Sequence, residues 1–351
     1  LYGQEYNPQS YAICKSDLLA KGHDASNIAF GNTLTDDAFA GRTFDFSMSN
    51  PPYGVDWKQY AKAVKAAQEQ AGPYGRFAPG LPATSDGQML FLLHLAHKMR
   101  APEDGGGRVG IVMNGSPLFN GAAGSGPSNI RKHLLEHDMV EAIVALPTNT
   151  FFNTGIATYI WILDNTKRPE RKGTVQLIDG TSFWTKMRKN LGSKGREISD
   201  GDRAKALRLY ADFADADPDF SKVLRNDEFG YWTITVERPL LDEDGNPVTD
   251  RKGNPKPDTK KRDPENVPFT YGDSTAGESG RDEVIGAYFD AEVAPHVPDA
   301  WVDHAKTKVG YEIPFTRHSY KYVPPRPLAE IDADLEKQVA KIMDLLREVE
   351  G

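Results

Sequence analysis

Apolar positions along this chain fall into short continuous runs that alternate with longer stretches of helical periodicity. Short apolar runs bounded by turn residues are typical of buried strands, and apolar residues that recur every three or four positions are typical of helices. Runs of the first kind occupy residues 27–32, 44–49, 108–113, 140–146, 158–163 and 174–178. Stretches of the second kind occupy residues 11–22, 60–70, 88–100 and 130–137. This alternation predicts an α/β fold with a mainly parallel sheet and helices on both faces.

The second half of the chain has a different pattern. Residues 186–196 are basic, residues 202–213 predict a helix, and residues 241–268 are rich in turn-forming Asp, Gly and Pro, which predicts a hairpin or a mobile insertion. After a proline-rich spacer, a narrow apolar seam predicts an amphipathic terminal helix. The seam consists of Leu328, Ile331, Leu335, Val339, Ile342, Leu345, Leu346 and Val349. We therefore divide the chain into residues 1–183, a mixed region 184–326 and the terminal helix 327–351.

Composition narrows the class of protein. The 351 residues are 39% hydrophobic and 26% charged, enough to bury a core, and no apolar run is long enough to span a bilayer. The single cysteine, Cys14, excludes internal disulfides and a cysteine metal cage, and it fits a reducing cytoplasm. The net charge of −8 indicates that any contact with nucleic acid uses a local basic patch or a partner. The first residues lack signal-peptide features, and the absence of an initial Met predicts a fragment or a processed chain.

The most informative sequence is Asn50-Pro51-Pro52-Tyr53, which directly follows the predicted strand 44–49. Proline cannot donate to a strand ladder, and it drives the preceding residue into extended backbone, so Asn50 is expected just past the strand end. Ligands of open α/β sheets bind beyond the carboxyl ends of the strands. There the Asn50 amide and the Pro51 carbonyl would offer two acceptors to an exocyclic amine, with Tyr53 stacked on the base. The alternative for these four residues is a rigid turn.

Other candidate residues have structural alternatives that we consider stronger. His94 and His97 lie three apart on an apolar helix, but no third ligand follows at a suitable spacing, so no metal site is predicted. Asp45 and Asp56 flank the central motif and are expected to be structural. The basic stretches 186–196 and 251–262 could meet phosphates or could simply be solvated.

In order along the chain, these sequences resemble the methylation (modification) subunit of type I restriction-modification systems, which are N6-adenine DNA methyltransferases. The resemblance covers residues 2–183 in detail and the terminal helix in general layout. It is carried by residues 1–8, by Gly31-Asn32-Thr33-Leu34, by Asn50 to Tyr53 with Gly54 and Trp57, and by residues 107–112 and 146–156.

The resemblance implies a Rossmann-like sheet that binds S-adenosylmethionine, here lacking its first strand and glycine-rich loop. Glu5, at a strand end, would accept hydrogen bonds from the ribose hydroxyls. Asn32, Thr33, Leu34 and Asn50 would complete the cofactor-binding set, with Asn32 where relatives usually carry Asp. Asn50, Pro51, Pro52 and Tyr53 would be the catalytic set. Tyr53 with Phe151 or Phe152 would stack on the flipped base, with no choice made between the two phenylalanines.

The same resemblance implies cytoplasmic DNA adenine methylation. Its partners would be DNA, a specificity subunit, a restriction subunit and a second methylation subunit, with no membrane involved. Three alternatives remain open from the residues. The acceptor could be RNA, cytosine or a protein glutamine; the chain could be a non-catalytic module that binds the specificity subunit; or it could be a nucleotide-binding oxidoreductase, which the absence of a dinucleotide loop disfavours.

Overall fold

The computed structural model describes residues 1–319 and 324–350, in two compact units, Leu1–Phe315 and Thr316–Gly351. The strands are β1 (Gly3–Glu5), β2 (Ile28–Phe30), β3 (Phe46–Ser49), β4 (Arg108–Asn114), β5 (Val140–Leu146), β6 (Thr158–Asp164), β7 (Thr174–Asp179), β8 (Thr185–Leu191), β9 (Lys194–Glu197), β10 (Ser221–Arg225), β11 (Gly230–Glu237), β12 (Asp263–Pro268), β13 (Trp301–Val302) and β14 (Lys308–Tyr311). The helices are α1 (Pro8–Ala20), α2 (Ala61–Ala71), α3 (Gln88–His97), α4 (Ser116–Phe119), α5 (Gly126–Glu136), α6 (Asp200–Asp212), α7 (Arg281–Tyr288), α8 (Phe315–Ser319) and α9 (Leu328–Glu350).

The larger sheet has the strand order β10-β7-β5-β6-β4-β3. β3, β4, β5 and β7 run in one direction, whereas β6 and β10 run against them. The sheet is therefore mixed, and the prediction of a mainly parallel sheet was wrong for its pairings. The reason lies between β5 and β6: residues 147–157 form a helix-free connection, so β6 returns antiparallel beside β5 instead of crossing over.

The core of the larger unit lies between this sheet and its helices. Ile111, Ile143 and Trp161 on neighbouring strands are fully buried, as are Leu90 and Leu92 on α3. The three strand residues come from the continuous apolar runs of the sequence, since strands covered on both faces have no polar side to alternate with.

The strand that leads to Asn50 lies at the edge of the larger sheet. β3 pairs only with β4 among the described strands, and the side chains of Phe46 and Met48 are 78% and 89% exposed. β1 and β2 form a separate parallel pair connected by α1, which begins where the Asn7 side chain caps the backbone N–H groups of Gln9 and Ser10. The sheet is thus least covered at the edge that carries the candidate site.

The second half of the chain also forms structures outside the larger sheet. β8 and β9 pair as an antiparallel hairpin, and β11 pairs with β12, β13 and β14. The residues that we predicted as an insertion, 241–268, end in the regular strand β12 and contain two successive turns closed by the bridges Leu241–Pro247 and Thr249–Pro255. Helix α6 begins earlier than predicted because Ser199 and Asp202 form a capping box.

The second unit contains the amphipathic helix α9, 23 residues long. Its seam residues Leu335, Val339, Ile342 and Leu346 are each more than half exposed, while the Val349 side chain lies outside the described set. No helix among the described residues is both long and apolar enough to cross a membrane. The domain boundaries at 183 and 326 stay predictions.

Candidate active site

Asn50 lies directly after the last residue of β3 and is exposed to solvent. Its Oδ1 atom accepts a hydrogen bond of 2.7 Å from the Tyr53 hydroxyl. Pro51 is buried, and within the described part of the chain its carbonyl oxygen accepts no hydrogen bond. Asn50 Oδ1 is therefore an exposed acceptor engaged by a neighbouring phenol, and the Pro51 carbonyl next to it has no hydrogen-bond donor among the described residues.

The Tyr53 hydroxyl is a donor at neutral pH. The half-buried position of the ring raises the pKa of this phenol, because burial disfavours the phenolate. The hydroxyl therefore stays protonated and able to donate to Asn50 Oδ1 across the physiological range. A carboxamide oxygen can accept two hydrogen bonds, so an amine that binds Asn50 Oδ1 would share this oxygen with the phenol.

Trp57 fixes the end of the loop that begins at Asn50. Its indole is 2% exposed and donates a hydrogen bond of 2.9 Å to the Ala83 carbonyl, while its backbone N–H donates one of 2.9 Å to the Thr84 carbonyl. Between these anchors, Gly54 adopts a φ of +61°, which favours glycine. The Asn50–Tyr53 segment is thus held between the end of β3 and a buried tryptophan.

Phe151 and Phe152 lie in the loop after β5, beyond the carboxyl ends of the parallel strands, as Asn50 does after β3. β3 and β5 are parallel and three strand spacings apart, about 14 Å, so the loops after them emerge side by side. Phe151 is half-buried, whereas Phe152 is 56% exposed and has the Lys194 ammonium 4.8 Å from its ring centroid. The two rings therefore differ in surroundings, and Phe152 already has a cationic partner.

Glu5 and Asn32 follow the two strands of the smaller sheet. Glu5 ends β1, and its Oε1 atom accepts a hydrogen bond of 2.6 Å from the Asn7 backbone N–H. Asn32 lies two residues past β2, and its Oδ1 atom accepts one of 2.9 Å from the Leu34 N–H, so the amide closes a tight turn. No hydrogen bond between described residues joins this group to Asn50 or Tyr53.

Sequence reasoning missed Arg76, which fixes the loop that contains Thr33 and Leu34. Its guanidinium donates hydrogen bonds of 2.6 Å to the Thr33 carbonyl and 2.8 Å to the Leu34 carbonyl, and a third contact of 3.0 Å reaches His94 Nδ1. A guanidinium can only donate, so His94 Nδ1 must be unprotonated. The sequence signal was an arginine inside a Gly- and Pro-rich loop, which gave no indication of its partners.

The surroundings of His94 lower its pKa from 6.5 to about 4, first through burial and then through the Arg76 charge. His97 shows a shift in the same direction from burial, and the described residues contain no cluster of metal-ligating groups. Asp45 forms an ion pair of 3.0 Å with Arg100, which gives this carboxylate a structural partner.

The His94 environment predicts acid sensitivity. Between pH 6.5 and about 4, His94 is protonated in the unfolded chain but stays neutral in the folded protein. The free energy of unfolding therefore falls as the pH falls through this window. At pH 5 we expect a loss of about 1–2 kcal/mol in the free energy of unfolding from this residue. Urea denaturation at pH 7 and pH 5 measures it. His94→Gln, which keeps an acceptor for Arg76, should shrink the difference, while exposed His296→Gln should not; an equal difference in all three proteins would contradict the assignment.

The exposed Asn50 carboxamide, with the Tyr53 ring beside it at the carboxyl end of β3, has the arrangement that the sequence predicted for a site that binds planar amino groups. The sequence matches the N-6 DNA Methylase family over residues 1–232, and the chain belongs to that family. The resemblance drawn from the motifs and the predicted methyltransferase fold are confirmed.

Relatives support the same placement. The chain is 28% identical to the type I restriction enzyme MjaIX methylase subunit of Methanocaldococcus jannaschii over 184 residues, 52% of this chain and 31% of the relative. It is 29% identical to the HindI methylase subunit of Haemophilus influenzae, over 51% of this chain and 37% of the relative. The crystal structure of a type I methyltransferase subunit from Streptococcus thermophilus is similar with a TM-score of 0.55 and 28% identity, covering 65% of this chain and 45% of that one. The chain thus spans about a third of the curated relatives' length.

Proposed function

We propose that this chain is the catalytic part of a site-specific DNA adenine-N6 methyltransferase, which transfers a methyl group from S-adenosylmethionine to an adenine turned out of the duplex. The observation that carries the proposal is the exposed Asn50 at the end of β3, with Tyr53 as the hydrogen-bond partner of its oxygen. Family membership supports the reaction class. The test is the transfer of a labelled methyl group from S-adenosylmethionine to adenine in DNA by the chain with its specificity subunit.

The chemistry required of the site is to make a poor nucleophile reactive. The lone pair of the adenine amine is delocalised into the ring, so the nitrogen must become more tetrahedral as it attacks. Asn50 Oδ1 and the Pro51 carbonyl would each accept one amine hydrogen and would stabilise the positive charge that develops on nitrogen. Holding the amine in line with the methyl donor supplies much of the remaining rate advantage.

The residues at the ends of β1 and β2 fit a nucleoside cofactor. Within the described part of the chain, the Glu5 carboxylate accepts a hydrogen bond only at Oε1, so Oε2 is available to a ribose hydroxyl. The Asn32–Leu34 turn is half-buried to buried and would face the adenine of the cofactor. When bound, S-adenosylmethionine supplies an electrophilic methyl group on a sulfonium. The protein residues would position the cofactor nucleoside and the acceptor amine relative to each other.

Base extrusion accounts for the aromatic residues at the site. The target amine is unreachable inside a duplex, so the adenine has to be unstacked and received by an aromatic surface. Tyr53 would provide one face. Of the two phenylalanines, Phe151 is the better candidate for the other face, because the ring of Phe152 is already engaged by Lys194.

Tyr53 variants test the stacking role. Tyr53→Ala is expected to lower kcat/KM for DNA about 10- to 100-fold, since stacking contributes about 1–3 kcal/mol per base. Tyr53→Phe should retain activity close to that of the wild type, because it keeps the flat ring and loses only the hydrogen bond to Asn50 Oδ1. Tyr53→Trp should also be tolerated. Steady-state methylation kinetics measure all three, and a Phe variant as impaired as the Ala variant would exclude stacking.

The partners proposed are those of a type I complex: DNA, a specificity subunit, a restriction subunit and a second methylation subunit, in the cytoplasm. Helix α9, with its exposed apolar seam, is the proposed contact with the specificity subunit. The same exposed helix favours a second candidate function, a non-catalytic module that only binds this partner. Isothermal titration with S-adenosylmethionine discriminates the two, because such a module would release no binding heat.

A further inference from the structure

The basic hairpin β8–β9 is fastened to the loop that carries Phe151 and Phe152. The Ser193 N–H donates a hydrogen bond of 3.0 Å to the Phe152 carbonyl. The N–H groups of Gly195 and Arg196 donate bonds of 3.1 Å and 3.2 Å to the Asn149 carbonyl. Three main-chain hydrogen bonds thus attach the hairpin to the connection that follows β5, at the edge of the sheet where Asn50 lies.

Contacts made by side chains and by a glycine fix the same arrangement. Arg196 Nη1 donates a hydrogen bond of 3.0 Å to Thr148 Oγ1, and its guanidinium lies 3.8 Å from the ring centroid of Trp184. At Gly192, φ is +61° and a Cβ atom would stand 2.9 Å from the Phe152 carbonyl oxygen. A larger residue there would separate the hairpin from the loop, so the close approach depends on glycine.

Strand β8 of the hairpin carries positive side chains that form no ion pair with other described residues. Lys186, Arg188 and Lys189 on β8 are exposed, and none forms an ion pair with another described residue. They lie on a chain whose net charge is −8, where a contact with phosphate requires a local concentration of cations. The two remaining cations of the hairpin, Lys194 and Arg196, are directed onto aromatic rings.

We propose that the hairpin β8–β9 is a phosphate-binding arm that grips the DNA backbone next to the extruded adenine. The inference rests on the proposed function, since it takes DNA as the substrate of the Asn50 edge. Contacts with phosphates position a duplex without reading its sequence. An arm attached to the base-receiving loop would hold the strand in place while one nucleotide leaves the stack.

The test is the salt dependence of DNA binding by the full chain. The triple variant Lys186→Gln, Arg188→Gln, Lys189→Gln removes three cations from the arm. The control variant Arg168→Gln, Lys172→Gln, Arg208→Gln also removes three exposed cations. Arg168 and Lys172 lie just before β7, at the amino ends of the parallel strands and so at the opposite end of the sheet from Asn50. Binding of a short duplex is measured by fluorescence anisotropy between about 50 and 200 mM salt. The slope of log K against log salt should fall in magnitude by about 2.7 in the arm variant, about 0.9 for each phosphate that the arm no longer neutralises, and stay unchanged in the control.

Two results would overturn the proposal: equal slopes in the arm variant and the wild type, or no binding of the duplex by the wild type at about 50 mM salt. Thermal melting of each variant confirms that these surface changes leave the fold intact. Different results would refute the proposed arm and the proposed function. A reduced slope without methyl transfer by the wild-type protein would contradict the function alone, whereas methyl transfer with an unaltered slope in the arm variant would contradict the arm alone.

Discussion

Asn50→Ala is expected to reduce methyl transfer to background, a loss of kcat of about 100- to 1,000-fold or more, because it deletes a preorganised acceptor that stabilises developing charge. The fold should be almost unaffected. Asn50 is exposed, and its one side-chain hydrogen bond with a described residue, from Tyr53, can be replaced by water. The rate is measured as labelled methyl groups transferred per minute at saturating S-adenosylmethionine and DNA, so that weaker binding of either substrate does not imitate a loss of chemistry.

The matched control for this experiment is Asn153→Ala. Asn153 is an exposed asparagine in the loop after β5, at the same edge of the sheet, and it has no assigned role. It should retain wild-type kcat, and both variants should melt at the wild-type temperature. A folded Asn50→Ala protein with kcat within about threefold of wild type would refute the acceptor role, since so small a change corresponds to less than about 1 kcal/mol of transition-state stabilisation.

The elements of the sheet could be predicted from local pattern, but their directions could not. The runs at 108–113, 140–146 and 158–163 could be predicted as strands because each is a short apolar run bounded by turn residues. Whether β6 lies parallel or antiparallel to β5 depends on the connection between them. Residues 147–157 contain turn residues and no helical periodicity, a signal that favours an antiparallel return and that the alternation of elements elsewhere had obscured.

In the candidate site too, features set by neighbouring residues could be predicted, whereas contacts between residues far apart in the sequence could not. Asn50 and Tyr53 could be identified because proline chemistry fixes the local backbone, and the structure joins the two side chains only three residues apart. Arg76 could not be assigned, because the carbonyls that it binds lie 42 and 43 positions away. Trp57 could be grouped with the Asn50–Tyr53 motif, but the sequence did not show that its indole binds the Ala83 carbonyl, 26 positions further on.

Removal of residues 324–351 should abolish binding to the specificity subunit without unfolding the remainder. Helix α9 belongs to a unit distinct from Leu1–Phe315, so the core of the larger unit does not depend on it. Its exposed seam is the pattern that pairs with other helices through knobs-into-holes packing. Co-purification and analytical ultracentrifugation of the two subunits measure association, and circular dichroism reports folding.

Two double variants test whether binding depends on the apolar seam of α9 or only on the presence of the helix. Leu335→Glu with Ile342→Glu places charges in the seam, where burial of each side chain is worth about 1.5–3 kcal/mol, so affinity for the specificity subunit should fall about 100-fold or more. Lys337→Glu with Lys341→Glu changes exposed positions outside the seam and should leave affinity within about threefold of wild type, because exposed charge contacts contribute little. Equal affinities for both variants, or losses of equal size, would show that the apolar seam does not form the interface. In that case a different surface would have to form the proposed contact with the specificity subunit.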